Sequence, residues 1–265
     1  MKNHFFFGYA GNKRQEVDNI YNYLKTLTNI THIIEPFCGT GALSYFISIN
    51  EPKKYKYILN DNNKKLIDFY NIAKDQEALE NLITHIKSYI DIIRSKPSIK
   101  EQKEEYLKII KNDTIEGYII ANKIYSIRAG LYPSDVKTLK CVLEPNYFDK
   151  LKICPMVKFL QDEDITFTNE CGIECYSKYK EDINSFIFLD PPYLNLCNDF
   201  YANSDINIYE YLYQNSINEC KSKILLCIND IWINRLLFSK DIKDVYNKKY
   251  ETSKKVVQHL IICNY

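Results

Sequence analysis

The sequence predicts an α/β fold, a sheet of strands alternating with helices and interrupted by an inserted helical segment. Three observations predict it. The N-terminal quarter holds a strand, a glycine-bearing turn, a helix, a second strand and an acid, in that order. The C-terminal half holds short apolar runs of strand length bounded by turn residues. Between them, residues 69–155 carry apolar side chains at helical spacing, with no alternation of strand, turn and helix.

Each element has its own signal. Residues 15–28 read as a helix with Val17, Ile20, Tyr21, Leu24 and Leu27 on one stripe. Ile30 to Ile34 is a short β-rich run that ends in Glu35-Pro36-Phe37-Cys38-Gly39-Thr40-Gly41, and a helix follows from about Ala42 to Ile49. Tyr55 to Leu59 is a strand that stops at Asn60-Asp61, which completes the opening of a Rossmann-like unit. In the insertion, Leu79, Leu82, Ile83, Ile86, Ile90 and Ile93 fall on one helical face. Ser98 and Glu101 stand in capping-box relation, and Asp113 and Glu116 repeat that signal before Ile120, Ile124, Ile127 and Leu131. The sheet resumes at Ile165 to Thr168, and Phe186 to Leu189 is a buried strand leading into Asp190. Residues 207–221 read as a helix, Lys223 to Ile228 as a strand ending at Asn229-Asp230, and Val256 to Ile262 as a last strand. Residues 1–68 and 156–265 therefore form one domain, and 69–155 an inserted one.

Composition excludes several classes. The chain has 265 residues, 46% of them hydrophobic, enough for one compact core with an insertion. The formal charge is +1, so any nucleic-acid surface is a local patch on a neutral body. The nine cysteines form no CxxC pair and no histidine completes a zinc pattern, which predicts reduced thiols and no metal. No apolar run is long enough for a signal peptide or a membrane span, so an intracellular, membrane-free setting is expected. The basic groups Lys13-Arg14, Lys53-Lys54-Lys56, Lys248-Lys249 and Lys254-Lys255 are candidate phosphate contacts, although a solvated surface explains any one pair more simply.

Two constellations carry chemistry. Gly39 and Gly41 follow a strand, so the backbone there can approach a ligand closely at the N-terminus of the next helix. Asp61 lies twenty residues past Gly41 at the end of the next strand, where a carboxylate binds ribose hydroxyls. The missing third glycine argues against a pyrophosphate ligand. The second constellation is Asp190-Pro191-Pro192-Tyr193. An aromatic amine is a poor nucleophile because its lone pair is delocalised into the ring. A carboxylate (Asp190) and a neighbouring backbone carbonyl (Pro191) that both accept its hydrogens favour a tetrahedral nitrogen, able to attack a methyl sulfonium. Pro191 and Pro192 stiffen the turn, and Tyr193 can stack on a base swung out of a helix. Phe200 and Tyr201, shortly after, are candidates for closing over that base.

In their order these motifs resemble the Dam-like, alpha-group adenine-specific DNA methyltransferases. Tyr9-Ala10-Gly11-Asn12-Lys13 is similar to the family's N-terminal cofactor motif. Glu35 to Gly41 resembles its Glu-Pro-Phe-x-Gly-x-Gly, and Asn60-Asp61-Asn62 its ribose-binding segment. Lys254 to Ile261 resembles its C-terminal motif. The resemblance implies a Rossmann-like methyltransferase fold that uses S-adenosyl-L-methionine. Tyr9, Lys13, Glu35, Pro36, Phe37, Gly39, Gly41, Asp61 and Asp190 would line the cofactor. The acid expected to face the cofactor adenine is Glu170, or is absent with Cys171 in its place. The insertion would be the target-recognition domain, in which Arg128-Ala129-Gly130-Leu131-Tyr132 is similar to the family's Asn-Gly-Leu-Tyr-Arg patch; Ala129 and Pro133 depart from it. Arg128, Tyr132 and Tyr201 are the expected nucleic-acid contacts. The implied partner is double-stranded DNA, with a cognate restriction endonuclease compatible and a monomer or weak dimer expected. Two alternatives stand beside this reading: an RNA or protein-glutamine acceptor, and an inactive DNA-binding module.

Overall fold

The computed structural model describes residues 4–6, 12–127, 144, 146–193, 208–214, 217–249 and 256–265. The regular elements are, in chain order, α1 (Val17–Leu24), β1 (His32–Glu35), α2 (Ala42–Asn50), β2 (Lys56–Asn60), α3 (Lys64–Ala73), α4 (Gln76–Arg94), α5 (Ile99–Lys111), α6 (Ile115–Ile127), α7 (Pro155–Asp162), β3 (Asp164–Thr168), α8 (Gly172–Tyr179), β4 (Ser185–Leu189), α9 (Ile208–Gln214), β5 (Lys223–Asn229), α10 (Trp232–Leu237), β6 (Ile242–Lys249) and β7 (Val256–Cys263). They fall into two compact units. One comprises residues 13–67 and 163–265 and holds the sheet; the other comprises residues 1–12 and 68–162 and is helical.

The sheet has seven strands in the order β3-β2-β1-β4-β5-β7-β6. β1 pairs in parallel with both β2 and β4, and the outer pairs β2–β3 and β4–β5 are also parallel. β7 runs antiparallel to β5 and β6. Burial explains the composition. β4 (Ser-Phe-Ile-Phe-Leu) is buried at every position and β5 at all but Lys223, as a central strand covered on both faces requires. Ile34, Ile58, Ile187, Leu226 and Leu260 meet in one core cluster.

The topology also fixes where chemistry can happen. Five parallel strands end at one edge of the sheet, so the segments after β1, β2, β3, β4 and β5 share that edge. Strand order reverses between β1 and β4. In open α/β sheets the crevice at such a reversal, beyond the carboxyl ends of the strands, is the ligand site.

The helical unit follows its pattern closely. Leu79, Leu82, Ile83, Ile86, Ile90 and Ile93 are all buried along α4. Asp75 caps α4 by accepting the Ala78 N–H, and Ser98 and Glu101 form the expected capping box on α5. The cap on α6 differs from the expected one. Thr114, not Asp113, accepts the Gly117 N–H at 3.2 Å. The helix starts at Ile115, which puts Thr114 in the capping position one residue later.

Other boundaries also differ. The expected helix over 15–28 spans Val17–Leu24, and Asn29 beyond it takes a positive φ of 65°. The expected helix over 207–221 is α9, ending at Gln214, followed by a 3-10 turn at Ile217–Glu219. α3, α7, α8, α10 and β6 carry no expectation from sequence.

Candidate active site

The glycine turn after β1 has the backbone its sequence demands. Gly39 and Gly41 have φ of 48° and 62°, a left-handed conformation that a side chain resists. Gly41 then starts α2. The turn is pinned from two sides: the Cys38 N–H donates to the Asn60 carbonyl at 2.8 Å, and the Gly39 N–H to Asp61 Oδ2 at 2.9 Å. Asp61 also accepts the Asn63 N–H at 2.9 Å. Burial raises the Asp61 pKa, opposed by these two amides. The acid expected at the ribose thus sits against the glycine turn and helps to shape it.

Glu35, at the end of β1, is 2% exposed. Its Oε1 accepts the Ser44 N–H at 2.9 Å and the Ser44 hydroxyl at 2.5 Å, tying β1 to the first turn of α2. Burial pushes its pKa up to about 7; the Ser44 bonds oppose the rise, and the Asp190 charge adds to it. Phe37 packs over Gly172 at the start of α8, so closely that a Cβ on Gly172 would lie 2.4 Å from the ring. After β3, the Glu170 carboxylate pairs with Lys178, and the Glu170 backbone is held through both N–H and carbonyl by Asn60. Cys171 is partly exposed and precedes α8.

Asp190 follows β4 at the strand-order reversal. The Lys13 ammonium lies 2.5 Å from both of its oxygens, and the Tyr193 hydroxyl donates to Oδ1 at 3.3 Å. Burial would lower the Lys13 pKa; the facing Asp190, with Cys227 and Glu16 behind it, raises it instead, so Lys13 remains a cation. Tyr193 is buried, with the Lys13 ammonium 5.2 Å from its ring centroid and the His259 ring edge-on at 5.1 Å. Its burial raises its pKa, with Asp190 adding to the rise. The Pro192 carbonyl accepts the Tyr209 hydroxyl at 3.2 Å.

The structure therefore brings together Lys13, Asp190 and Tyr193 in one contact set, and Gly39 and Asp61 in another, along the same sheet edge. Tyr9, Arg128, Tyr132, Phe200, Tyr201 and the Lys254-Lys255 pair lie outside the described residues. Two basic candidates are corrected. Lys13 is 4% exposed and its ammonium is held by Asp190 rather than offered to a phosphate. Lys248 is neither a phosphate contact nor solvated surface, because it is 7% exposed and its ammonium pairs with Glu16 at 2.5 Å. Lys54 and Lys56 pair with Glu51 and Asp164.

Behind Tyr193 lies a polar cluster that sequence reasoning missed. Glu16 sits three residues after Lys13, at the start of α1. Besides Lys248, it accepts a short hydrogen bond from the Tyr246 hydroxyl and lies 3.2 Å from His259 Nδ1. Cys227 Sγ lies 3.0 Å from the Tyr246 hydroxyl. Burial pushes the Glu16 pKa up, but the His259 bond, Lys13 and Lys248 bring it down to about 2. Glu16, Cys227 and His259 offer ligand atoms within 4.8 Å of one another. Glu16 and His259 contact each other, Glu16 also pairs with Lys248, and Cys227 contacts the Tyr246 hydroxyl. Burial also holds the Cys227 thiol up near 12, so the trio is a poor metal site.

A sheet of this order, with a glycine turn after β1, an acid after β2 and Asp-Pro-Pro-Tyr after β4, is a Rossmann-like methyltransferase fold. The chain belongs to the D12 class N6 adenine-specific DNA methyltransferase family, whose profile matches residues 9–253. Among curated relatives, the type II methyltransferase M.MjaIII of Methanocaldococcus jannaschii is 28% identical over 98% of both chains. The type II methyltransferase M.CviBI of Paramecium bursaria Chlorella virus NC1A is 24% identical over 97% of this chain and 98% of its own. Among solved structures, the rRNA methyltransferase aviRa from Streptomyces viridochromogenes aligns with a TM-score of 0.44 at 10% identity, covering 97% of this chain and 87% of that one. The chain is an adenine-N6 DNA methyltransferase by family; an RNA or protein-glutamine acceptor is not favoured. Among the described residues, no helix is long and apolar enough to cross a membrane.

Proposed function

We propose that the chain transfers a methyl group from S-adenosyl-L-methionine to the N6 amine of an adenine swung out of double-stranded DNA, with Asp190 as the group that accepts the amine. The residues present fit this donor. The left-handed Gly39 and Gly41 keep side chains off the turn, the first N–H groups of α2 suit a carboxylate, and Asp61 is a half-buried acid anchored beside them. When bound, the donor supplies an electrophilic methyl on sulfur. Asp190 and the Pro191 carbonyl orient the amine lone pair toward that methyl. Lys13 and Tyr193 fix the carboxylate, Phe37 walls the turn, and Glu170 or Cys171 borders the adenine end.

Residues 69–155 are the proposed target-recognition domain, with Arg128, Tyr132 and, outside it, Tyr201 as the proposed nucleic-acid contacts. Action beside a restriction endonuclease is consistent with the type II names of the relatives, and an intracellular setting as a monomer or weak dimer is proposed with it.

The observation that carries this reading is Asp190 at the reversal of strand order, held by Lys13 and Tyr193. Its test is Asp190→Ala. Tritiated methyl incorporation into unmethylated AT-rich DNA should fall by on the order of a hundredfold to a thousandfold, the scale of removing a group that stabilises a transition state. Calorimetric binding of S-adenosyl-L-methionine should survive. Full incorporation by the variant overturns the mechanism.

A further inference from the structure

We propose that Glu16 is a positioning residue for methyl transfer, setting the geometry of Asp190 from behind without touching substrate or donor. The proposal rests on Asp190 being the group that accepts the amine.

The argument runs through two branches that leave one carboxylate. Along the chain, Glu16 stands in the turn that presents Lys13: the Glu16 N–H donates to the Lys13 carbonyl at 2.8 Å, and the Val17 N–H to the same oxygen at 3.1 Å. Fixing Glu16 therefore fixes the backbone that carries the ammonium gripping Asp190. Across the sheet, Tyr246 and His259 are directly opposed in the β6–β7 ladder, and Lys248 lies two residues along β6 from Tyr246. All three side chains converge on Glu16: Tyr246 and His259 at Oε1, Lys248 at Oε2. His259 then abuts Tyr193 edge-on, its Nδ1 3.5 Å from the tyrosine hydroxyl that donates to Asp190. Among the described residues, one carboxylate thus governs two groups that touch Asp190: Lys13 through the turn and Tyr193 through His259.

Burial makes this placement stiff. Glu16 is 4% exposed and His259 0%. A buried charge with several hydrogen-bond partners has few alternative arrangements, because each partner it leaves becomes unpaired in a dry interior. Stability alone does not explain the arrangement, since apolar side chains of similar volume commonly serve a core as well as a buried ion pair does.

The test separates geometry from folding. Glu16→Gln removes the carboxylate paired with the buried Lys248 ammonium and risks unfolding, so the working variant is Glu16→Gln with Lys248→Met, which removes both charges together. Single-turnover methylation is followed at saturating S-adenosyl-L-methionine and DNA. The stoichiometry of calorimetric S-adenosyl-L-methionine binding reports how much enzyme is folded, and the single-turnover rate constant reports alignment at Asp190. The expected result is near-wild-type stoichiometry with a rate constant at least tenfold lower. Tyr246→Phe, which removes one donor to Glu16, should give a smaller fall. An unchanged rate constant in the double variant, with Asp190→Ala impaired as expected, overturns this proposal and leaves the assignment of Asp190 standing. Full activity in Asp190→Ala overturns both.

Discussion

At the scale of single residues, close approach decides more than charge does. Gly172 shows this. It lies in the first turn of α8, and its missing side chain makes room for Phe37, part of the segment that forms the glycine turn. A methyl group there would meet the ring edge at 2.4 Å, below any real contact distance. The ring must then move, and the turn that carries it moves too. Gly172→Ala should cost about 1–3 kcal/mol of stability, as overpacking usually does, and weaken S-adenosyl-L-methionine binding several-fold in a calorimetric titration. Wild-type affinity in the variant would show that Phe37 does not transmit the displacement. Phe37 was legible as part of a motif. Its dependence on Gly172, 135 positions away in the chain, was not, because a motif records residue types and not what lies against them.

At the scale of elements, what was legible is what has a period or a cap. α4 and α5 were readable because a wide apolar stripe and a capping box are local signals. The capping box gives a test of its own. Ser98→Ala removes the acceptor of the Glu101 N–H and should destabilise the helical unit by about 1 kcal/mol, seen as a shift in the urea midpoint without a change in slope. No shift would mean that α5 is held by packing alone. β6 lacks such signals. β6 reads Ile-Lys-Asp-Val-Tyr-Asn-Lys-Lys, mostly polar or charged, because it lies at the edge of the sheet. That edge carries Tyr246 and Lys248, so the cluster around Glu16 was hidden for the same reason. Lys248 looked like half of a surface pair, and only the pairing of β6 with β7 turns it inward to a carboxylate more than two hundred residues away.

At the scale of the molecule, two buried glutamates tune stability with pH in opposite senses. Glu16 is held down at about 2 against an ordinary 4.5. Its contribution is present above 4.5 and is lost as pH falls from there toward 2. Glu35 is held up at about 7. Its folded form prefers the proton, so its contribution is complete below 4.5 and is lost as pH rises through 7. Considered alone, these two acids place the most stable condition near pH 4.5. The cost at Glu35 follows from its position: a carboxylate at the end of β1, closed in by Ser44 and facing Asp190, is poorly solvated when charged. Glu35→Gln keeps the acceptor for Ser44 and removes the ionisation. The variant should gain stability relative to the native chain as pH rises from 5 to 8, by a total on the order of 3 kcal/mol. Melting curves of both proteins across that range check it. A difference between them that stays constant with pH would mean that Glu35 is already ionised at pH 5 in the folded chain, and that Ser44 solvates it fully.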